Sequence, residues 1–155
     1  MSRRSLLLGS VGVVLAAGGG VAVGALRPVA RREPTGRPPV ELVAALHAER
    51  TLIAVIDATT GGRPRVRTAL RQIRADHVSH QIVLQAAVDA YPQSPPATVT
   101  SSPGAAQALD VAGLRRAEHL ASVRAATLAT RLTGTNATLL ASIAACEASH
   151  AELFA

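Results

Sequence analysis

The stretch IAACEASHAELF, residues 143–154, decides the fold. Its alanines and leucine favour helix. Yet Glu147 and His150 stand three residues apart on the side that continues Leu140 and Ile143. A helix of a packed domain turns that side inward and fills it with apolar residues. One helical turn here aims a carboxylate and an imidazole at a single interior point.

Three more helical runs precede it. Val40 to Thr60 is one, ended by Gly61-Gly62-Arg63-Pro64. Arg65 to Tyr91 is a second, with Pro64 well placed in its first turn. The four-proline segment PQSPPATVTSSPG, Pro92 to Gly104, is a loop. Ala105 to Leu132 is the third helix, Thr133-Gly134-Thr135 turns the chain, and Asn136 to Phe154 is the fourth, with Thr135 as its N-cap. Short first and third links make antiparallel helix pairs. The middle link, about 13 residues, reaches roughly 43 Å when extended, whereas a helix of about 25 residues is roughly 38 Å long. It is long enough to run the length of a bundle, so the expected fold is all-α: an antiparallel four-helix bundle with a long crossover between helices two and three.

Bundle helices bury residues spaced alternately three and four apart. The first seam reads Leu42, Leu46, Glu49, Ile53, Ile56, and the second Leu70, Ile73, His77, His80, Leu84, Ala87, Tyr91. The third reads Val111, Leu114, Glu118, Ala121, Ala125, Leu128, Leu132, and the fourth Leu140, Ile143, Glu147, His150, Phe154. Each seam is apolar except near its middle. There Glu49, His77, His80, Glu118, Glu147 and His150 fall at similar depth and face one another. A buried, unpaired carboxylate costs several kcal/mol, and three in one core repel. A divalent cation compensates both effects. Carboxylate oxygen with imidazole nitrogen suits iron, manganese or zinc, as one or two ions. The alternative is a metal-free core in which Glu–His hydrogen bonds satisfy the cluster.

Composition agrees with packed helices. Hydrophobic residues make up 48% of the 155 residues but aromatics only 1%, too few for a typical sheet protein. The net charge is +6 and every basic residue is arginine. The arginines are scattered over helix faces and a linker without aromatic platforms, so a nucleic-acid partner is not expected. The single Cys146 forms no internal disulfide. It neighbours Glu147 but points about one helical step away from the seam. Asp76 lies beside His77 and off its seam by about 100°. His47 and His119 adjoin candidate ligands but point elsewhere.

This layout resembles the ferritin-like di-metal carboxylate superfamily, which takes a Glu from each of two helices and Glu-x-x-His from each of the other two. Glu49 and Glu118 match the two single carboxylates, and Glu147-Ala-Ser-His150 matches one motif in full. In the second helix His80 matches, but His77 stands in the glutamate position. The chain is also similar to exported bacterial ferritin-like domain proteins of unknown function, through Asp76-His77-x-x-His80 and the last-helix pattern SIAxxExxH. The resemblance spans residues 40–155 and implies metal handling or oxidative-stress chemistry and pairing into a homodimer. His77 in place of a carboxylate removes one negative charge, which favours a single metal, or zinc, over a redox pair.

Residues 1–26 carry a different signal. Ser2-Arg3-Arg4 precedes an uncharged apolar run from Leu6 to Leu26, with small residues at Val23-Gly24-Ala25. This resembles a twin-arginine export signal, or else an uncleaved membrane anchor. Residues 27–39, rich in proline and arginine, read as a flexible linker. The expected location is outside the cytoplasm or in the cell envelope, touching membrane only through the N-terminal segment.

Overall fold

A computed structural model describes residues 35–59, 63–93 and 106–154 of the chain. Residues 1–26, expected to be an export signal or anchor, most of the linker and residues 94–105 of the proline-rich segment expected to cross the bundle therefore lie outside the described residues. Four helices form: α1 (Val40–Ala58), α2 (Pro64–Asp89), α3 (Val111–Ala129) and α4 (Gly134–Glu152). They belong to one unit, Glu33–Ala155. No strand occurs among the described residues, and no described helix is long and apolar enough to cross a membrane.

The helix boundaries differ from expectation where local chemistry intervenes. The third helix starts at Val111, not Ala105. Asp110 stops it from beginning earlier: its Oδ1 accepts the Gly113 N–H at 2.7 Å, the arrangement of an N-cap. Gly113 leaves room for this turn, since a Cβ there would stand 3.0 Å from Asp110 Oδ1 and 3.2 Å from Leu109 Cβ. Leu109 N–H also donates to Thr59 Oγ1 at 3.2 Å, tying the approach to α3 onto the end of α1. The fourth helix starts two residues before Asn136, at Gly134, whose φ of +61° suits glycine best. Thr133, rather than Thr135, is the flanking residue, and it makes no side-chain cap. At the linker's end, Gly36 (φ +81°) accepts a hydrogen bond from Gln93 N–H, so this stretch is held to the chain beyond α2.

Two apolar clusters organise the interior. One joins Leu42, Ala45 and Leu46 of α1 with Leu84 and Val88 of α2, Ala125 and Ala129 of α3, and Leu140, Ile143 and Ala144 of α4. The other joins Ile56 of α1, Leu70 and Ile73 of α2, and Leu114 of α3, with Phe154 against it. Between them along every helix lie the ionisable seam residues. The expected seams hold with local drift: Leu52 is buried in α1 while Ile53 is half-buried, Val88 is buried where Ala87 was expected, and Val111 is exposed. Tyr91 packs against the first cluster, and its hydroxyl accepts from Asn136 Nδ2 at 3.0 Å.

Replacing Asp110 removes the one side-chain cap these helices possess among the described residues. Asp110→Ala is expected to lower unfolding free energy by about 1 kcal/mol in urea denaturation, and an unchanged midpoint would refute the capping role.

Candidate metal centre

Each helix contributes to one buried polar cluster. α1 gives Glu49, α2 gives His77 and His80, α3 gives Glu118, and α4 gives Glu147 and His150. Glu49, His77, Glu118 and Glu147 are at most 2% exposed and His150 is 4% exposed. The side chain of His80 is 15% exposed. The six expected residues therefore do converge. The local reason is the three- or four-residue spacing, which keeps each polar side chain on the face that buries Leu and Ile one turn away.

His77 sits at the centre. Its Nδ1 lies 2.6 Å from Glu49 Oε2 and its Nε2 3.1 Å from Glu118 Oε1. His150 Nδ1 lies 3.3 Å from Glu118 Oε2. The His77 ring meets those of His80 and His150 edge-on, with centroids 5.9 and 5.4 Å apart. His80 Nδ1 is 3.3 Å from Glu49 Oε1, near enough for attraction but outside hydrogen-bond geometry. Ser122 Oγ donates to the Ala144 carbonyl at 2.8 Å, fixing α3 against α4 beside the cluster.

Two residues that the seam pattern left aside join in. Asp76 was expected to point away, yet its Oδ2 lies 3.2 Å from His150 Nε2. Cys146, expected a helical step off, places Sγ 3.5 Å from the same nitrogen. The imidazole of His150 is long enough to reach the flank of α2, and Cys146 lies one turn before it on the same strip of α4. That i, i+4 spacing was the available sequence signal. His47 and His119 are exposed and stand apart, as expected.

Electrostatics follow from these contacts. Burial works against charge on His77, but the hydrogen bonds that Glu118 and Glu49 accept from it outweigh this and raise the ring to about 9. His80, also opposed by burial, is raised to about 9 by Cys146 and Glu49. His150, again against burial, is raised to about 10 by Cys146 and Glu118. Burial pushes Glu49 and Glu118 upward, yet their histidine partners bring both below the ordinary carboxylate value. Glu147 has no such partner. Burial first, then the charges of Glu49 and Glu118, lift it to about 8. The Cys146 thiol is drawn down to about 6, mainly by His150 and then by His80, against burial.

Whether these residues fit a cation can be judged from the atoms left over. His80 Nδ1 and Glu147 Oε2 are buried without a hydrogen-bond partner, which is costly unless something else satisfies them. Among the described residues, three groups hold ligand atoms within 4.8 Å of one another: Glu49, His77 and His80; His77, Glu118 and His150; and Asp76, Cys146 and His150. These are spacings and donor types able to hold a metal ion. Glu147 joins none of the three, but with Glu49 it lines a narrow cleft walled by Ala45, Ala48, Ala121 and Ala125.

Comparison with protein-family models, with curated proteins and with solved structures finds no match.

Glu147 offers a direct check. Its folded value near 8 lies above the ordinary 4.5, so the folded state holds its proton and ionising it costs stability as pH rises through that window. In chelator-treated protein, Glu147→Gln is expected to gain melting temperature relative to wild type from about pH 5 to pH 8, then level off. Each 1 kcal/mol corresponds to roughly 3–5 °C in a domain of this size. A pH-independent difference, or one that falls with pH, would contradict the buried, neutral carboxyl.

Proposed function

We propose that this chain is an exported, ferritin-like metal-handling protein. Its helices hold one or two divalent cations among Glu49, His77, His80, Glu118, Glu147 and His150. The observation that carries this reading is the pair of orphaned donors, His80 Nδ1 and Glu147 Oε2, within a buried cluster already rich in carboxylate and imidazole. Glu49, His77 and His80 would supply one donor set. Oxygen and nitrogen donors of this kind suit iron, manganese and zinc. Bound iron or manganese would supply redox chemistry toward oxygen species, and bound zinc Lewis acidity.

The chain's own residues prepare that environment. Glu49 and Glu118 hold the His77 ring by both nitrogens. Ile73, Leu114 and Ile143, each at most 2% exposed, keep water from the surroundings. Glu147 can keep a proton at neutral pH beside the cleft.

The ferritin-like topology is part of the proposal, and the packing supports it. α1 packs on α2 and α3, and α4 packs on α3 and α2. The first apolar cluster draws on the N-terminal halves of α1 and α4 and the C-terminal halves of α2 and α3. That pattern fits antiparallel neighbours with a crossover between α2 and α3 running the length of the bundle. Export rests on the twin-arginine-like residues 1–26, and homodimer formation on the resemblance alone.

A second reading has its own support. Both ring nitrogens of His77 and of His150 already face carboxylate oxygens, so a metal-free envelope bundle with a structural Glu/His network is the competitor. Melting of the chelator-stripped full chain with added manganese, iron(II) or zinc separates the two. The metal reading expects an increase of roughly 10 °C or more at saturating metal, because a ligand bound only to the folded state at 100 times its Kd adds about 2.7 kcal/mol. The gain with manganese should vanish when Glu49→Gln and His80→Ala are combined. No shift with any of the three ions would favour the metal-free network.

A further inference from the structure

We propose that Asp76, Cys146 and His150 form a second metal site, beside the buried one, that takes a borderline-soft cation of the zinc type. This rests on the metal-binding reading above and divides its residues between two centres.

Three donors of three kinds meet here. Asp76 comes from α2, and Cys146 and His150 lie one turn apart on α4. Cys146 Sγ is 3.5 Å and Asp76 Oδ2 is 3.2 Å from His150 Nε2, and the three ligand atoms lie within 4.8 Å of one another. A tetrahedral zinc ion with bonds of roughly 2.0–2.3 Å keeps its donors about 3.3–3.8 Å apart. The two distances to His150 Nε2 are already close to that spacing. Thiolate, imidazole and carboxylate are zinc's usual ligands, and three of them leave a fourth position open.

Glu118 determines which nitrogen of each ring faces which centre. Its Oε1 lies 3.1 Å from His77 Nε2 and its Oε2 3.3 Å from His150 Nδ1. An ionised carboxylate only accepts, so both of those nitrogens carry hydrogen. The other two nitrogens, His77 Nδ1 beside Glu49 and His150 Nε2 beside Asp76 and Cys146, also face carboxylates, and a cation seated with those carboxylates would take the place of their protons. One ring then serves each centre, and neither has to give both nitrogens to metal. Glu118 becomes the shared outer carboxylate that orients both imidazoles, a common arrangement behind metal-bound histidine. The two centres also differ in access. Glu49 and His77 are buried, whereas the Asp76 side chain is 33% exposed and Cys146 is half-buried.

Cobalt(II) is the probe, because it reports thiolate ligation optically where zinc is silent. The chelator-stripped full chain is titrated with cobalt(II) without oxygen, beside Cys146→Ser, Asp76→Asn and Glu49→Gln. The expected result is a thiolate-to-cobalt charge-transfer band in the near ultraviolet. Cys146→Ser should abolish the band yet keep the cobalt that depends on Glu49. Asp76→Asn, with unchanged far-ultraviolet circular dichroism, should weaken the band-forming affinity by roughly tenfold or more. Cobalt that binds in a Glu49-dependent way without such a band overturns this second site alone. A band that survives Cys146→Ser also overturns it. No cobalt binding at all overturns the buried site with it.

Discussion

The carboxylate of Glu118 bridges two imidazoles, His77 from α2 and His150 from α4, inside an apolar interior. Most of the structure depends on that contact. Glu118 is 1% exposed, so its charge cannot be relieved by water, and removing both rings would leave it stranded at a cost of several kcal/mol. The contact thereby fixes the depth of three helices relative to one another. Glu49, bonded to the opposite nitrogen of His77, adds α1 to the same chain of contacts. The two apolar clusters on either side contribute burial energy, while the polar centre specifies register.

Such a centre differs from an ordinary buried ion pair in having members left over. Three imidazoles and two carboxylates nearly satisfy one another, but Glu147 is kept out of the network and drifts toward its neutral form. Its unpartnered oxygen and the unpartnered nitrogen of His80 are the features a hydrogen-bond network alone does not explain. They are why the proposed function is a metal protein rather than a bundle with a polar core. The same imbalance bears on chemistry. With His77 where a carboxylate would add charge, the proposed site neutralises fewer positive charges, and the thiol of Cys146 beside His150 offers a softer donor at its edge.

Much of this was legible in the sequence because helical periodicity is a strong signal. The polar interruptions at Glu49, His77, Glu118, Glu147 and His150 stood out against Leu and Ile at three- and four-residue spacing, and all five are buried together. What the pattern missed has physical causes. Asp110 ended the third helix's N-terminal extension through a side-chain cap that apolar spacing does not register. The start of α4 at Gly134, a residue of positive φ, is likewise not registered by apolar spacing. Asp76 and Cys146 were set aside by angle alone, but a seam defines where a Cβ points, whereas the reach of His150 lets its outer nitrogen meet residues on the flank.

The central claim is that the buried centre binds metal, and its most direct test is elemental analysis of the full chain as purified from its native compartment, beside the Glu49→Gln, His80→Ala double variant. Near-stoichiometric iron, manganese or zinc is expected in the wild type, with its loss from the buried centre in the variant. Equal metal content in the two proteins, or none in the wild type after reconstitution with all three ions, would contradict it.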